Sequence, residues 1–340
     1  MSSEAVEHVG YYVHHVGRGH LHRATALARH LAETGGPVLT GLSSLPRPDD
    51  WPGGWVELPR DDDGEPVGQT ARNRLHWAPL GHDGLRARTS AISGWIEAVR
   101  PRAFVVDVSV EVTLLVRLHG VPVVSVVQPG HRDDPAHLLG LEVADALVAF
   151  WPAEAHGMLC GVPVAVKERI RTVGALSRFP AAADDADDDA DDLVGRTTGR
   201  RAVLMVGGGG HADLPERVGE WTVTVIGGAA GPWVDDPSPL LRDADVVITH
   251  AGQNALAEVA AARRPAVVVP QERPHDEQVT TAAVLRDGPW PVVVLDTWPS
   301  DDEALEKAAI LDGAAWAAWC DGHAVERFAD VVRETAGMPR

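Results

Sequence analysis

The 340-residue sequence predicts an α/β protein made of two Rossmann-like domains with parallel sheets, and three observations carry that prediction. Short apolar runs alternate with helix-period stretches along both halves, the pattern of parallel strands covered by helices on both faces. Each half opens on a strand that runs into glycines, Gly17 and Gly19 in the first and Gly207, Gly208, Gly209 and Gly210 in the second. Between the halves, residues 182–192 read Ala-Ala-Asp-Asp-Ala-Asp-Asp-Asp-Ala-Asp-Asp, a self-repelling solvated stretch with no apolar period.

In the first half, residues 9–14, 37–42, 55–58, 104–108, 121–127 and 146–150 are expected as strands. Leu21, Ala24, Leu27, Ala28 and Leu31 form the apolar stripe of the first helix. In the second half the expected strands are 202–206, 223–226, 246–248, 266–269 and 292–295. Residues 312–337 read as helical, with Trp316, Trp319 and Phe328 as apolar anchors. These elements divide the chain into a first domain over 1–178, an acidic linker over 179–200, a second domain over 201–310 and a C-terminal helix over 311–340. A ligand is expected in the cleft between the two facing domains, with closure about a hinge near residue 180.

Composition narrows the setting. Apolar residues make up 45% and charged residues 23%, as in a soluble globular protein. No apolar run approaches the roughly 20 residues that span a bilayer, and the acidic opening is no signal peptide. Cys160 and Cys320 form no disulfide framework or metal spacing and suit a reducing cytoplasm, the expected location. The acidic tract lacks the glycine and glutamate of a calcium loop, so no metal is expected. A net charge of -19 disfavours nucleic acid and anionic membranes as partners. A phosphate-bearing ligand would meet the same field unless helix N-termini and glycine backbone held it, contacts that need no net cationic charge.

The most specific stretch is 245–258, Asp-Val-Val-Ile-Thr-His-Ala-Gly-Gln-Asn-Ala-Leu-Ala-Glu. It reads as a buried strand, a small-residue turn through Ala251 and Gly252, and a helix carrying Glu258 in its first two turns. Such a helix start leaves backbone N–H groups unpaired and aimed outward, which makes an anion seat. An ordinary strand-to-helix unit is the plain alternative. The run Gly207 to Gly210 lets a diphosphate or sugar lie against backbone, or is simply a flexible loop. Farther on, the polar residues at 270–278 follow a strand end and can meet sugar hydroxyls.

In the first half, the turn Gly17-Arg18-Gly19-His20 brings a histidine to a helix start, where an imidazole of near-neutral pKa can take a proton from a hydroxyl. His14 and His15 are read as strand-end residues. Asp107 ends an apolar strand at the same sheet edge, where it can orient the His20 ring, or it caps the next helix. Of eleven tryptophans most are core, while Trp77, Trp95, Trp151 and Trp233 are candidates to line a pocket.

Together these pieces resemble the GT-B glycosyltransferases, in particular the family of the bacterial peptidoglycan UDP-GlcNAc transferase and related natural-product enzymes. His250-Ala251-Gly252, Glu258, Pro270 and Glu277-Gln278 followed by Ala282 look like that family's donor-binding signature. The resemblance implies that Glu258 accepts hydrogen bonds from ribose hydroxyls. It further implies that the turn at His250, Gly252, Gln253 and Asn254 holds the diphosphate, that Glu277 and Gln278 meet the donor sugar, and that Val234 offers its backbone to the base. Gly17, Arg18 and Gly19 resemble the acceptor-side loop, and His20 with Asp107 the base dyad. Two positions depart from the pattern, Glu277 in place of the usual aspartate and Thr281 in place of an asparagine.

The implied function is inverting, metal-independent transfer from a nucleotide sugar, a UDP-sugar first, to a hydroxyl of a small acceptor. The first domain is then the acceptor side and the second the nucleotide-sugar side, the donor being a co-substrate with no separate cofactor. Two other readings keep the fold: a nucleotide-sugar hydrolase or 2-epimerase, and a non-catalytic nucleotide-sugar-binding partner. The acceptor is not legible; residues 60–90 and 128–140 are expected to shape its pocket, and the base is uracil, thymine or guanine.

Overall fold

The computed structural model describes residues 6–182, 200–207, 217–228 and 231–338. Residues 183–199, which hold nearly all of the acidic tract, and the predicted donor residues Gly208, Gly209 and Gly210 lie outside them. The chain divides into two compact units. The first comprises Met1–Ala149, Gly161–Val173 and Val325–Arg340; the second comprises Phe150–Cys160 and Gly174–Ala324.

The first unit is built on seven parallel strands: β1 (His8–Val13), β2 (Val38–Ser43), β3 (Gly54–Glu57), β4 (Ala103–Asp107), β5 (Val123–Val127), β6 (Ala146–Ala149) and β7 (Ile170–Thr172). Their order is β3-β2-β1-β4-β5-β6-β7. The chain steps outward from β1 to β3 and then returns to lay β4 on the other side of β1, so the direction of winding reverses between β1 and β4. In open parallel sheets that reversal leaves a crevice at the carboxyl ends of the two strands, where ligands bind. The inner strands β1, β4, β5 and β6 are largely apolar, as in a parallel sheet covered on both faces: Val9, Tyr11, Phe104, Val105, Val106, Val123, Val124, Leu147 and Val148 are all buried. Helix α1 (Arg18–Glu33) buries Ala24, Leu27, Ala28 and Leu31, each leucine contributing about 1.5–3 kcal/mol by removal from water. Helices α2 (Asp83–Val99), α3 (Val110–Leu118), α4 (Pro135–Val143) and the short α5 (Val164–Lys167) complete this part of the unit.

The second unit has six strands: β8 (Arg201–Val206), β9 (Arg217–Val218), β10 (Trp221–Gly227), β11 (Val246–Thr249), β12 (Ala266–Val268) and β13 (Val292–Val294), ordered β9-β10-β8-β11-β12-β13. All pairs are parallel except β9 with β10. Here winding reverses between β8 and β11. Leu204, Val206, Trp221, Ile248, Val267 and Leu305 meet in the core below that edge. Helices α6 (Ser238–Asp243), α7 (Gln253–Ala261), α8 (Glu277–Asp287) and α9 (Glu303–Ala309) follow in turn. The last helix, α10 (Ala324–Thr335), belongs to the first unit, where Phe328 packs edge-on against Tyr11 at 6.4 Å.

The eleven expected strands are present. Two further strands of these two sheets were not expected: β7 has one apolar residue and β9 only two residues, so neither carries a hydrophobic period. The expected continuous helix over 312–337 is instead a 3-10 segment, Gly313–Ala318, followed by α10. The break falls at Asp321-Gly322, where Gly322 has φ +87°, a left-handed angle that stops a right-handed helix.

Candidate functional site

In the first unit, β1 runs into His14, His15, Val16 and Gly17. Gly17 turns the chain with φ +87° and caps α1 without a side-chain bond, so Arg18, Gly19 and His20 form the first turn of the helix. Asp107 ends β4 directly opposite Val13 of β1. The next residue, Val108, has φ +67°, a left-handed angle that costs a β-branched residue about 1–3 kcal/mol. Ser109, not Asp107, then caps α3 by accepting from Val112 N–H at 3.2 Å. The capping alternative for Asp107 is thereby removed, and its carboxylate turns into the unit instead.

There Asp107 is fully buried, with its Oδ1 2.9 Å from Nδ1 of His20, whose side chain is 17% exposed. Arg23 grips the same carboxylate with two bonds of 3.1 Å, Nε to Oδ2 and Nη2 to Oδ1, and Tyr11 donates its hydroxyl to Oδ2 at 3.2 Å. Burial alone would push the Asp107 carboxyl up; the charges and hydrogen bonds of Arg23 and His20 outweigh it and hold it below the ordinary range. An ionised carboxylate has no proton to give, so the proton between it and His20 sits on Nδ1. Arg23 Nη2 also lies 2.9 Å from that nitrogen, but a guanidinium can only donate and finds its acceptors on Asp107. Nε2 of His20 is left as the ring's basic nitrogen.

His14 lies beside this dyad, its ring 5.0 Å from His15 in a stack and 5.7 Å from His20 edge-on. Burial, then the neighbouring His20 and His15, lower its pKa to about 4, so it stays neutral next to the base. Arg23 and Tyr11 escaped the sequence reading. A signal for Arg23 was present: it lies three residues after His20 and four before Leu27 on the buried face of α1, where a charge demands a partner.

Segments 60–90 and 128–140 do meet within the first unit. The Asp134 carboxylate accepts from His76 Nε2 at 3.1 Å and from His137 Nδ1, while Arg132 Nη1 lies 3.0 Å from His137 Nε2. Glu111 at the start of α3 fixes the other side, accepting from the backbone N–H groups of His76 and Trp77 at 2.7 and 2.9 Å. Among the described residues, His76, Asp134 and His137 are the group with metal-ligand geometry, their donor atoms within 4.8 Å of one another. A cation there would displace two bridging protons beside a buried guanidinium, so the arrangement reads as a hydrogen-bonded tie between the two segments.

In the second unit, β11 leads into His250, Ala251 and Gly252, and Gly252 caps α7 with no side-chain bond. The first-turn amides of α7 therefore face outward at the edge where winding reverses. His250 is buried and donates from Nδ1 to the Val269 carbonyl at 2.8 Å, which leaves Nε2 an acceptor; that atom and Gln253 Nε2 are both buried and have no hydrogen-bond partner among the described residues. Burial first, and the charge of Arg273, lower the His250 pKa against the Val269 bond. Two consecutive left-handed residues, His275 at φ +61° and Asp276 at φ +54°, turn the chain into α8. Buried Gln278 accepts from Gln271 N–H at 2.9 Å, and its Nε2 is 3.9 Å from where a Cβ on Gly252 would stand. Glu277 and Asn254 are half-buried at the same strand ends.

Glu258 is buried in α7 and paired with Arg178, a residue the sequence reading missed: Nε to Oε1 is 2.5 Å and Nη2 to Oε2 is 2.9 Å. The Arg178 guanidinium carbon is 5.8 Å from the centre of the Trp233 ring, and Val234 follows, half-buried. Trp233 is 49% exposed; Trp95 packs on Phe104, Trp151 is buried, and Trp77 is tied to the Asp61 carbonyl at 2.9 Å. Of the predicted donor residues, Gly207 follows β8 and is exposed. Cys160 and Cys320 are free thiols.

Residues 203–294 match the glycosyltransferase family 28 C-terminal domain. No curated protein sequence matches the chain. Among solved structures, the glycotransferase of kitacinnamycin has TM-score 0.64 and 18% identity, covering 98% of this chain and 99% of that one. MurG of Acinetobacter baumannii has TM-score 0.60 and 16% identity, with 96% and 99% covered. UGT89C1 of Arabidopsis thaliana, complexed with UDP, has TM-score 0.56 and 14% identity, with 97% and 100% covered. No helix among the described residues is long and apolar enough to cross a membrane. The chain has the GT-B glycosyltransferase fold, and its residues 203–294 match the family 28 C-terminal domain.

Proposed function

We propose that this chain is an inverting glycosyltransferase that moves a sugar from a nucleotide sugar, a UDP-sugar first, to a hydroxyl of a small acceptor. The observation that carries the reading is the His20–Asp107 pair at the winding reversal of the first unit, a buried carboxylate fixing an imidazole with Nε2 free to act as base. His20 takes the acceptor proton, the acceptor oxygen attacks the anomeric carbon, and the bond from that carbon to the phosphate oxygen breaks with its electron pair leaving on the diphosphate. A single displacement of this kind inverts the anomeric centre. Asp107 remains ionised and stabilises the imidazolium.

The donor-side assignment rests on the family 28 match and on the strand, turn and helix at 246–261. The outward amides at Gln253 and Asn254 would meet the developing charge of the leaving diphosphate, work that a divalent metal does elsewhere. Trp233 offers an exposed aromatic face, Val234 its backbone to the base, and Glu258 its carboxylate to the ribose. Gln278, within reach of Gly252, and Glu277 would address the sugar. The UDP complex of UGT89C1 supports uracil as the first base to test.

The test is incubation with UDP-, dTDP- and GDP-sugars, each with and without a panel of hydroxylated small molecules, followed by mass spectrometry. Acceptor-dependent release of nucleoside diphosphate with a matching glycoside is expected. Release or sugar conversion without acceptor would replace transfer by hydrolysis or epimerisation, and binding without turnover would leave a non-catalytic partner.

A further inference from the structure

The ribose-binding role proposed for Glu258 meets an obstacle in the free protein. Both of its carboxylate oxygens are taken by the fork of Arg178, at 2.5 and 2.9 Å. The Glu258 side chain is 5% exposed and that of Arg178 30%, so the arginine lies on the solvent side of the carboxylate and covers it. Arg178 is itself held, donating from Nη1 to the Asp235 carbonyl at 3.3 Å and stacked over Trp233 at 5.8 Å. A ribose cis-diol binds a carboxylate with two O–H donors, one to each oxygen, which is the same fork geometry a guanidinium uses.

Resting on the nucleotide-sugar reading of this unit, we propose that Arg178 is a resident competitor for the ribose site, a latch that must leave Glu258 before a nucleoside can engage it. Apparent affinity is then reduced by the fraction of protein whose latch is open. The latch favours ligands that supply negative charge near the released guanidinium, so it sharpens the preference for nucleoside diphosphates over bare nucleosides in a chain of net charge -19. Arg178 does not touch the reacting atoms; it is a positioning and specificity residue acting through Glu258.

The experiment is calorimetric titration of wild type and Arg178→Met with uridine, 2′,3′-dideoxyuridine and UDP. Uridine is expected to bind the variant about tenfold tighter, because the competing charged hydrogen bonds are gone. Dideoxyuridine, which has no hydroxyl for Glu258, is expected to bind both proteins alike, and the preference for UDP over uridine to shrink. Uridine bound no tighter by Arg178→Met, while wild type binds UDP, overturns the latch and leaves the nucleotide site standing. Equal gains for uridine and dideoxyuridine also overturn it, since the effect then bypasses the ribose hydroxyls. Should wild type prefer GDP or dTDP, guanosine or thymidine and their deoxy analogues replace the uridine pair. Wild type that binds none of UDP, GDP and dTDP sinks the nucleotide reading and the latch together. If Arg178→Met fails to fold by thermal melt, Arg178→Lys decides: a point charge cannot span both oxygens, so the same gain in smaller measure is expected and its absence overturns the proposal.

Discussion

Nδ1 of His20 stands 2.9 Å from Oδ1 of Asp107, and Arg23 bonds both oxygens of the same carboxylate. The aspartate thus serves two cations, one permanent and one that forms only when His20 accepts a proton. Replacing His20 by alanine removes the base but leaves the second unit untouched. Turnover is expected to fall by roughly 100-fold or more while nucleotide affinity stays within error. Turnover and UDP binding measured on the same preparation check this, and unchanged turnover ends the base assignment.

Arg23 balances a carboxylate that is fully buried. Arg23→Met leaves that charge uncompensated and is expected to destabilise the fold by about 3–5 kcal/mol. The double variant Arg23→Met, Asp107→Leu removes both charges and should recover a large part of the loss. Urea midpoints for the two variants provide the comparison. A double variant no more stable than the single one would mean that Arg23 acts through packing, not charge.

How much of this was legible depended on whether the signal was local. The strands of both sheets announce themselves because buried parallel strands are continuous apolar runs, as at Phe104, Val105 and Val106. Asp107 and His20 were findable because each follows a strand or glycine turn at a predictable sheet edge. Arg178 was hidden because its partner lies 80 residues away, which no local pattern encodes; for Arg23 the helix period marks a buried charge but not its partner, 84 residues away. The break between Trp319 and α10 was hidden for another reason: apolar anchors persist across Gly322 although the backbone does not stay helical. Edge strand β7, with only one apolar residue, carried no period to read.

His14 and His137 both have pKa values lowered to about 4, in each case chiefly by burial. A histidine depressed in the folded state binds its proton more readily once unfolded, so its effect runs one way: stability is full above the unfolded value near 6.5 and declines as pH falls toward 4. Asp107 and Asp134, held below the usual carboxylate range, add acid sensitivity only below about pH 4, where their unfolded forms protonate. Urea midpoints at pH 7, 6 and 5 should therefore fall steadily. His14→Asn should reduce that slope by up to one proton, about 1.4 kcal/mol per pH unit. A slope identical to wild type would show that His14 titrates normally.

Glu258→Gln keeps the shape of the side chain and removes its charge. Both the Arg178 pair and the proposed ribose contact lose their ionic partner, and UDP affinity is expected to weaken by about 1–3 kcal/mol, the range for a charged hydrogen bond. Calorimetry on the variant checks this. In the Arg178→Met background, where no latch competes, UDP affinity left unchanged by Glu258→Gln would remove Glu258 from the nucleotide site.

The leaving diphosphate, in the proposed mechanism, meets the outward amides at the start of α7, below a turn made by Ala251 and Gly252 with no cationic side chain among His250 to Glu258. A helix N-terminus supplies roughly half a positive charge together with aimed N–H donors, and it supplies them without an ion. Chelation with EDTA is therefore expected to leave turnover within about twofold of the untreated enzyme, because the developing charge is met by backbone and not by a Lewis acid. Gly252→Asp attacks the same feature from the protein side: an aspartate at this N-cap position accepts from the first-turn amides of α7 and sets a negative charge where the diphosphate would lie, so turnover should fall while the first unit stays folded. Loss of turnover in EDTA, restored by magnesium or manganese, would transfer the diphosphate from the helix to a metal and with it the electrostatic part of the mechanism.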